Sequence, residues 1–240
     1  MTCTPRIFVS CEHASNRIPV RYRHLFEDRR AVLETHRGYD IGILPFAESL
    51  AAAFQAPLLV ANVSRLLVDL NRSAANRTLF SEFSRHLPFS EQQLLQQHYH
   101  RPYWRTAKDI VAGIIAQNDR ALHLSVHSFT PILNGKVRNA DIGLLYDPSR
   151  SAEKLFCRQW QKALAATQPT LRIRRNYPYR GNADALVTSL RQNFGENSYL
   201  GIEIEINQAI PLSGKNTWAR LQQALIAALR KTLRNINASN

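Results

Sequence analysis

The segment "ALHLSVHSFT" (residues 121–130) combines a strand pattern with a cluster of polar residues at its end. Its first six residues alternate apolar and small polar side chains, which is typical of a half-buried β-strand. His127, Ser128 and Thr130 then follow where the chain is expected to turn. A histidine at a strand end is more often structural than catalytic, so the rest of the chain has to decide the role of His127.

Segments of strand and helix character alternate on both sides of this strand. "RIFVSCEH" (6–13) and "PLLVANVSRLLVDL" (57–70) read as strands, and "DIGILPFAESLAAAF" (40–54) between them has helical spacing. A long helix is expected over 90–117, with a Ser-x-x-Gln cap at its start and a break near Pro102. The later elements are expected in the order strand (140–147), helix (151–167), strand (199–207) and helix (216–235). The order predicts an α/β fold, a three-layer sandwich with a mostly parallel mixed sheet, in one domain spanning residues 1–240.

Composition narrows the class of protein. The chain has 240 residues, 45% of them hydrophobic, which is enough for a large core without covalent cross-links. Cys3, Cys11 and Cys157 are odd in number and form no C-x-x-C pair, so neither a disulfide framework nor a structural zinc knot is indicated. No segment approaches the ~20 apolar residues of a membrane span. We therefore expect a cytoplasmic protein with no membrane association.

The charge balance is strongly basic, with 31 Lys and Arg against 18 Asp and Glu, a formal net charge of +13. Such an excess attracts anions, which include nucleic acids, acidic lipids and small acidic substrates. Basic clusters occur only at 172–175 and 228–235, and aromatic residues do not interleave with them as a base-stacking surface requires. Most of this charge is expected on the solvated surface, and nucleic-acid binding remains an alternative.

Polar residues follow three of the expected strands. Glu12 and His13 end the first strand, His127 and Ser128 end another, and "GIEIEIN" (201–207) places alternate polar residues on one face of a third. In parallel α/β sheets the ligand binds beyond the carboxyl ends of the strands. Two histidines and a carboxylate at one sheet edge are the components of a hydrolytic zinc site.

Asp40 is a candidate third ligand, because a helix that starts there returns it to the same sheet edge as His13. A carboxylate at a helix N-terminus also suits the helix dipole. The alternative is that Asp40 is a simple N-cap, a common position for aspartate. Pro45 lies slightly past the first turn and indicates that the regular helix could begin later.

The motif "SRLLVDLNR" (64–72) gathers charged residues at the end of an apolar segment. Asn71 and Arg72 form a pair that could clamp a carboxylate with two hydrogen bonds. The alternative to a functional role for Asp69 is a salt bridge with an arginine that only stabilises the conformation of the loop.

Five motifs in order, "SCEHASNRIP", "HRGYDIG", "SRLLVDLNR", "SVHSFTP" and "IEIEIN", resemble the N-formylglutamate amidohydrolase family over nearly the whole chain. More distantly, they are similar to zinc carboxypeptidases, succinylglutamate desuccinylases and aspartoacylases. The resemblance implies a zinc-carboxypeptidase-like (phosphorylase/hydrolase-like) fold. It also implies zinc-dependent hydrolysis of a small acidic N-acyl amino acid such as N-formylglutamate. The acyl group, the amino acid and the oligomeric state are left open.

Carried onto this chain, the resemblance assigns His13 and His127 as zinc ligands. The relatives have a glutamate three residues after the first histidine, where this chain has Asn16, a poor zinc ligand. Asp40 is the expected substitute and Glu12 the fallback. Three protein ligands would leave a fourth position for water, whose pKa zinc lowers.

The remaining site residues also follow from the resemblance. Glu205 matches the general base better than Glu203, which could raise the pKa of Glu205 by like-charge repulsion. Arg65 is expected to stabilise the oxyanion, and Asn71 with Arg72 to bind the substrate carboxylate.

Other polar residues have weaker assignments. Ser128, Tyr146 and Tyr179 are candidates to line the substrate pocket, although tyrosines near Pro and Gly more often pack loops. His98 and His100 point apart on a helix and are expected on the surface. His36 could support Asp40 from four residues away. A metal-free hydrolase with Ser128 or Cys11 as nucleophile is a further alternative, but neither residue lies in a recognisable nucleophile motif.

Overall fold

A computed structural model describes the backbone of residues 5–238 and side chains as far as residue 236. Cys3 lies outside the described residues. Six strands form the main sheet: β1 (Arg6–Cys11), β2 (Leu58–Val60), β3 (Ala121–Phe129), β6 (Ile142–Leu145), β7 (Ile173–Arg175) and β8 (Tyr199–Asn207). Two short strands, β4 (Ile132–Leu133) and β5 (Lys136–Val137), form a separate antiparallel hairpin.

The main sheet has the strand order β2-β1-β3-β8-β6-β7. The first four strands are mutually parallel, β6 runs antiparallel to β8, and β7 is parallel to β6. The prediction of a mostly parallel mixed sheet is therefore confirmed. The parallel pairing of β1 with β2 also confirms the predicted crossover through the intervening helix.

Helices cover both faces of this sheet, as the three-layer prediction requires. The core on one face includes apolar residues of α1 (Leu44–Phe54), α4 (Ser151–Thr167) and α7 (Lys215–Ala238). The core on the other face includes α3 (Arg101–Ala116), α5 (Leu186–Asn193) and the 3-10 segment Val20–Glu34. The remaining helices are α2 (Phe89–Leu95) and α6 (Ala209–Leu212). Within the described residues, no helix is long and apolar enough to span a membrane.

Strand register brings polar residues together on one face of the three central strands. Ser10 on β1, Ser125 on β3 and Glu203 on β8 lie side by side. One step nearer the carboxyl ends, His127 pairs with Glu205. Because alternate residues of a strand share a face, these side chains form one polar stripe that leads to the sheet edge.

Two predicted elements have different bounds. The helix that was predicted to start at residue 40 begins at Leu44. Pro45 lies in its first turn, so the later start that the position of Pro45 indicated is confirmed. The strand predicted over 57–70 ends at Val60. Beyond it the chain turns, because the hydroxyl of Ser64 donates to the carbonyl of Gly38 and accepts the N–H of Leu66.

The long helix predicted over 90–117 begins at Phe89 without a side-chain cap. The prediction of a Ser-x-x-Gln cap was therefore wrong. Its interruption is a π-helical turn, Gln96–His100, just before Pro102. The sequence patterns did not predict the 3-10 segment, the β4–β5 hairpin, β7, α5 or α6. The hairpin strands, β7, α5 and α6 are short and give weak periodicity, and the 3-10 segment does not follow the α-helical period.

Candidate metal and substrate site

His13 and Asp40 are brought together by a backbone contact at the end of β1. The N–H of Asp40 donates to the carbonyl of His13 at 2.8 Å, which draws the loop before α1 against the strand end. His127, near the end of the adjacent β3, completes a buried cluster in which one potential ligand atom from each residue lies within 4.8 Å of the others. The tertiary structure thus groups the three residues that the sequence assigned as ligands.

The hydrogen bonds of His13 orient its ring. Its Nε2 lies 2.6 Å from Oδ1 of Asp69, and an ionised carboxylate only accepts, so Nε2 carries a proton. The other nitrogen, Nδ1, is buried without a hydrogen-bond partner and lies 3.6 Å from Oδ2 of Asp40. In the neutral ring this Nδ1 has a free lone pair, as a metal ligand requires.

His127 has a similar arrangement. Its Nε2 lies 3.1 Å from Oε2 of Glu12 and 2.9 Å from the hydroxyl of Ser125, while its Nδ1 lies 2.9 Å from Oδ2 of Asp40. Each histidine therefore has a carboxylate behind its Nε2, and both Nδ1 atoms face the same oxygen of Asp40. Carboxylates behind metal-binding histidines commonly fix the tautomer and the ring orientation.

Protonation equilibria in the cluster are strongly perturbed. Burial alone would raise the carboxylate pKa values, but hydrogen bonds and charge from His127 lower the pKa of Glu12 to about 2. Burial of Asp40 is likewise outweighed by His13 and His127, so its pKa lies below the ordinary value. Burial would lower the pKa of His127, but hydrogen bonds to Asp40 and Glu12 raise it well above the ordinary value. Metal binding at Nδ1 would have to displace this proton.

The structure separates the alternatives for the third ligand. Glu12 lies at the Nε2 side of His127, away from the atoms that face Asp40. Asn16 donates to Glu34 on the surface. Asp40 is not an N-cap, since its carboxylate accepts from the N–H of Ser128 and faces both histidines. Asp40 therefore has the geometry expected of the third ligand.

Glu205 and Glu203 are both buried at the cavity, but only Glu203 has a hydrogen-bonding partner for its carboxylate in the described residues. Nδ2 of Asn71 donates to Glu203 at 3.1 Å, whereas Oε2 of Glu205 is buried without a partner. Burial raises the pKa of Glu205 to about 8, and the charges of Asp40 and Glu203 add to the effect. Like-charge repulsion thus contributes as the sequence indicated, although burial is the larger cause.

Asp69 and Asn71 of the "DLNR" segment hold other side chains of the site in place. The carboxylate of Asp69 accepts from His13 and from Arg65, so it both forms the expected salt bridge and orients a candidate ligand. The amide of Asn71 bonds Glu203 and the N–H of Leu186, which leaves it little capacity for a substrate. The predicted role of Asn71 as half of a carboxylate clamp is thereby weakened.

Arg72 lines the cavity, and hydrogen bonds from its side chain and to its backbone carbonyl hold it in place. Its Nη1 donates to the backbone carbonyls of Asn71 and Asp184. His100, in the π-helical turn, bonds the carbonyl of Arg72 at 2.7 Å, and Trp104 bonds that of Leu70. His100 is buried, so the prediction that it lies on the surface was wrong, whereas His98 is exposed. Helical spacing alone could not show that the π turn redirects His100 inward.

These side chains surround a cavity of about 140 Å³ at the sheet edge. Its lining consists of His13, Asp40, Arg65, Asn71, Arg72, His127, Ser128, Leu145, Tyr179, Arg180, residues 183–185, Glu203 and Glu205. Tyr146 was expected there, but its side chain is buried in the core and Leu145 faces the cavity instead. The strand alternation of β6 decides this, since neighbouring residues point to opposite faces. Sequence analysis missed Arg180, which adjoins the expected Tyr179.

The structure also places three weaker candidates, His36, Cys11 and Ser128. His36 lines a groove beside the cavity, and burial lowers its pKa. Cys11 is fully buried, and burial raises the pKa of its thiol well above the ordinary value, which makes it a poor nucleophile. The hydroxyl of Ser128 donates to the carbonyl of Ile41 rather than to a base. A metal-free mechanism through Cys11 or Ser128 therefore has no geometric support.

The site combines three features at the carboxyl edge of an α/β sheet: a buried His-Asp-His cluster, a carboxyl group of raised pKa and several arginines. This combination is typical of metal-dependent hydrolases. A profile of the N-formylglutamate amidohydrolase family matches residues 6–211. The chain belongs to this family and is a hydrolase. A comparison with curated protein sequences gives no significant match.

Two solved structures show the same fold over nearly the whole chain. A gene product from Agrobacterium tumefaciens is 26% identical with a TM-score of 0.81, over 97% of this chain and 92% of that one. An N-formylglutamate amidohydrolase from Ralstonia eutropha is 17% identical with a TM-score of 0.72, over 98% and 95% of the two chains. A succinylglutamate desuccinylase from Chromobacterium violaceum has a TM-score of 0.41 at 17% identity over 94% and 60%, too low to support an inference.

Proposed function

We propose that this chain is a zinc-dependent amidohydrolase that cleaves the formyl amide of N-formylglutamate or a closely similar N-acyl amino acid. The family match supports the reaction class. One observation carries the metal dependence: the ligand atoms of His13, Asp40 and His127 converge in the cavity, and Nδ1 of His13 is buried there without a partner.

The donor set fits zinc. Two imidazole nitrogens and one carboxylate are a common protein set for catalytic zinc, with a fourth position left for water or substrate. Asp69 and Glu12 hold the distal nitrogens of the two histidines, which favours the neutral tautomer that binds metal through Nδ1. When bound, the ion would lower the pKa of water and polarise the amide carbonyl.

Glu205 is proposed as the proton carrier. A catalytic group must lose and regain a proton near the working pH, and a pKa raised by burial to about 8 brings Glu205 near that range. A cation nearby would lower this pKa by favouring the carboxylate. Glu205 then accepts the proton of the attacking water and delivers it to the amine that leaves. Glu203 is held by Asn71 and serves less well.

Two arginines complete the proposed mechanism. Arg65 lies at the cavity wall between Asp69 and Asp40, where its charge would stabilise the oxyanion of the tetrahedral intermediate. Arg72 is proposed to bind the α-carboxylate of the substrate. The cavity volume of about 140 Å³ is below the ~300 Å³ at the lower end for drug-sized ligands, which suits a small acyl amino acid.

The test is release of formate from N-formylglutamate. Activity should disappear on treatment with a chelator and return with about one equivalent of zinc per chain. The His13→Ala, His127→Ala and Asp40→Ala variants should each lose zinc and activity. Loss of an N-cap alone would cost only ~0.5–2 kcal/mol of stability and leave zinc bound, so Asp40→Ala also tests that alternative. Full zinc content in all three variants would refute the proposed site.

We further propose that residues 1–240 act as one domain, because both cores pack on the same sheet. The alternative of a nucleic-acid-binding protein without catalytic activity is not supported by the family assignment. A small acidic substrate accounts for a basic cavity without invoking nucleic acid.

A further inference from the structure

The loop that follows β7 holds Arg180 at the cavity on a fixed backbone. Gly181 is pressed against β6, since a Cβ there would lie 2.1 Å from the backbone nitrogen of Tyr146. The side-chain oxygen of Asn176 accepts the N–H groups of Tyr146 and Gly181, and buried Arg191 donates to the carbonyl of Gly181. This backbone is therefore organised before any ligand binds.

The three arginines of the cavity differ in their partners. Arg65 forms ion pairs with Asp69 and Asp40. The side chain of Arg72 donates only to backbone carbonyls, and the guanidinium of Arg180 has no hydrogen bond or ion pair within the described part of the chain. Two cations of the cavity thus lack a carboxylate partner.

The nearest acidic residue of this loop does not neutralise Arg180. The carboxylate of Asp184 accepts from the N–H of Ser73 and from Nδ2 of Asn76, on the side of the loop that faces the "DLNR" segment. Its hydrogen bonds therefore join the two loops, and Arg180 stays available for an anion.

We propose that Arg180 is the residue that binds the side-chain carboxylate of the substrate and so distinguishes N-formylglutamate from its neutral amide analogue. This inference rests on the proposed function. Arg72 lines the cavity next to Asn71, whose amide contacts His127 and Glu203, so we assign Arg72 to the α-carboxylate, which is two bonds from the amide nitrogen. Arg180 is exposed at the cavity mouth and suits the more distant carboxylate.

The experiment compares N-formylglutamate with N-formylglutamine, which has nearly the same shape but a neutral amide in place of the distal carboxylate. Arg180→Gln should raise KM for N-formylglutamate by about 10- to 100-fold, as expected for a lost charge-assisted hydrogen bond, and leave kcat nearly unchanged. Its KM for N-formylglutamine should change little. Arg180→Lys should keep part of the preference, because it keeps the charge.

Arg175→Gln is the matched control, since it removes the same charge from an exposed residue of β7 that does not line the cavity. It should leave both KM values unchanged. Equal losses for the two substrates in Arg180→Gln, or the same loss in Arg175→Gln, would overturn the proposal.

Binding measurements separate this proposal from the proposed reaction. Calorimetry in a Glu205→Gln background should show that N-formylglutamate binds more tightly than N-formylglutamine and that Arg180→Gln removes the difference. If the unmutated chain binds with this preference but hydrolyses neither compound, the proposed reaction is wrong and the subsite stands. If binding shows no preference, the subsite is wrong whatever the turnover.

Discussion

Glu205 is a carboxyl side chain in an environment that disfavours its charge. It is buried, one carboxylate oxygen has no hydrogen-bond partner, and its pKa is raised to about 8. Burying this carboxyl group costs free energy of folding, and Glu205 lines the same cavity as the three candidate metal ligands. A catalytic role therefore explains its position better than a contribution to stability does. Sequence alone could not rank it securely above Glu203, because both residues share one face of β8.

We expect Glu205→Gln to keep zinc and substrate affinity but to lose roughly 10²–10⁴-fold in kcat, the usual contribution of a general base. The substitution keeps the size and shape of the side chain and removes its ability to take up and release a proton. Metal analysis and steady-state kinetics check this. The matched Glu203→Gln variant should lose less in kcat, and a Glu205→Gln enzyme with normal kcat would transfer the role to Glu203.

The raised pKa of Glu205 also makes stability depend on pH. The folded chain binds this proton more tightly than the unfolded chain, in which the pKa of Glu205 is near its ordinary value of 4.5. The stabilisation is therefore fully present below about pH 4.5 and is lost as pH rises through about 8. In chelator-treated protein, the Tm advantage of Glu205→Gln over the unmutated chain should grow between pH 5 and pH 9.

Added zinc provides the control for this prediction. A cation in the cavity favours the carboxylate form of Glu205, so saturating zinc should reduce the Tm difference at high pH. A Tm difference that stays constant from pH 5 to pH 9 would show that Glu205 is ionised in the fold throughout this range.

Asp69 and Glu12 should act on metal affinity through the histidines they hold. Asp69→Asn and Glu12→Gln remove the negative charge behind His13 and His127, and such changes typically cost about 10- to 100-fold in metal affinity. Competition with a zinc-binding dye measures the effect. Asp141→Asn, at an ion pair with Arg172 outside the cavity, is the control and should bind zinc normally.

At the scale of elements, the long strands and helices were predictable because each carries many repeats of its period. β1, β3, β8, α4 and α7 match their predicted positions closely. The turns after β2 and the π-helical turn were not predictable, because their conformation depends on side chains that bond distant backbone groups, such as His100 with the carbonyl of Arg72. These irregular elements carry much of the candidate site.

The loop between β7 and α5 offers a test at this scale. Gly181→Ala would place a Cβ 2.1 Å from the backbone nitrogen of Tyr146, so the loop must shift away from β6. We expect a lower Tm and a raised KM for N-formylglutamate, with zinc content unchanged. Gly195→Ala, where a Cβ would have no neighbour within 4 Å, should change neither quantity.

At the scale of the whole molecule, the net charge of +13 should speed the capture of anionic substrates. We predict that kcat/KM for N-formylglutamate falls as salt rises from ~50 to ~500 mM, because the Debye length shortens from roughly 14 to 4 Å. Since the charge acts on encounter, kcat should be nearly constant. A salt dependence as steep for an uncharged formyl amide would point instead to a general effect on the enzyme.

The sequence by itself determined the α/β class, the mostly parallel sheet and the two histidines at strand ends, because periodicity and strand polarity are local properties. The tertiary structure decided the rest. It placed the carboxylate of Asp40, rather than Glu12 or Asn16, opposite both Nδ1 atoms, which only contacts between distant segments can show. It also turned Tyr146 away from the cavity, because alternate residues along β6 point to opposite faces, and it brought Arg180 to the cavity, because the loop before α5 packs closely against the end of β6.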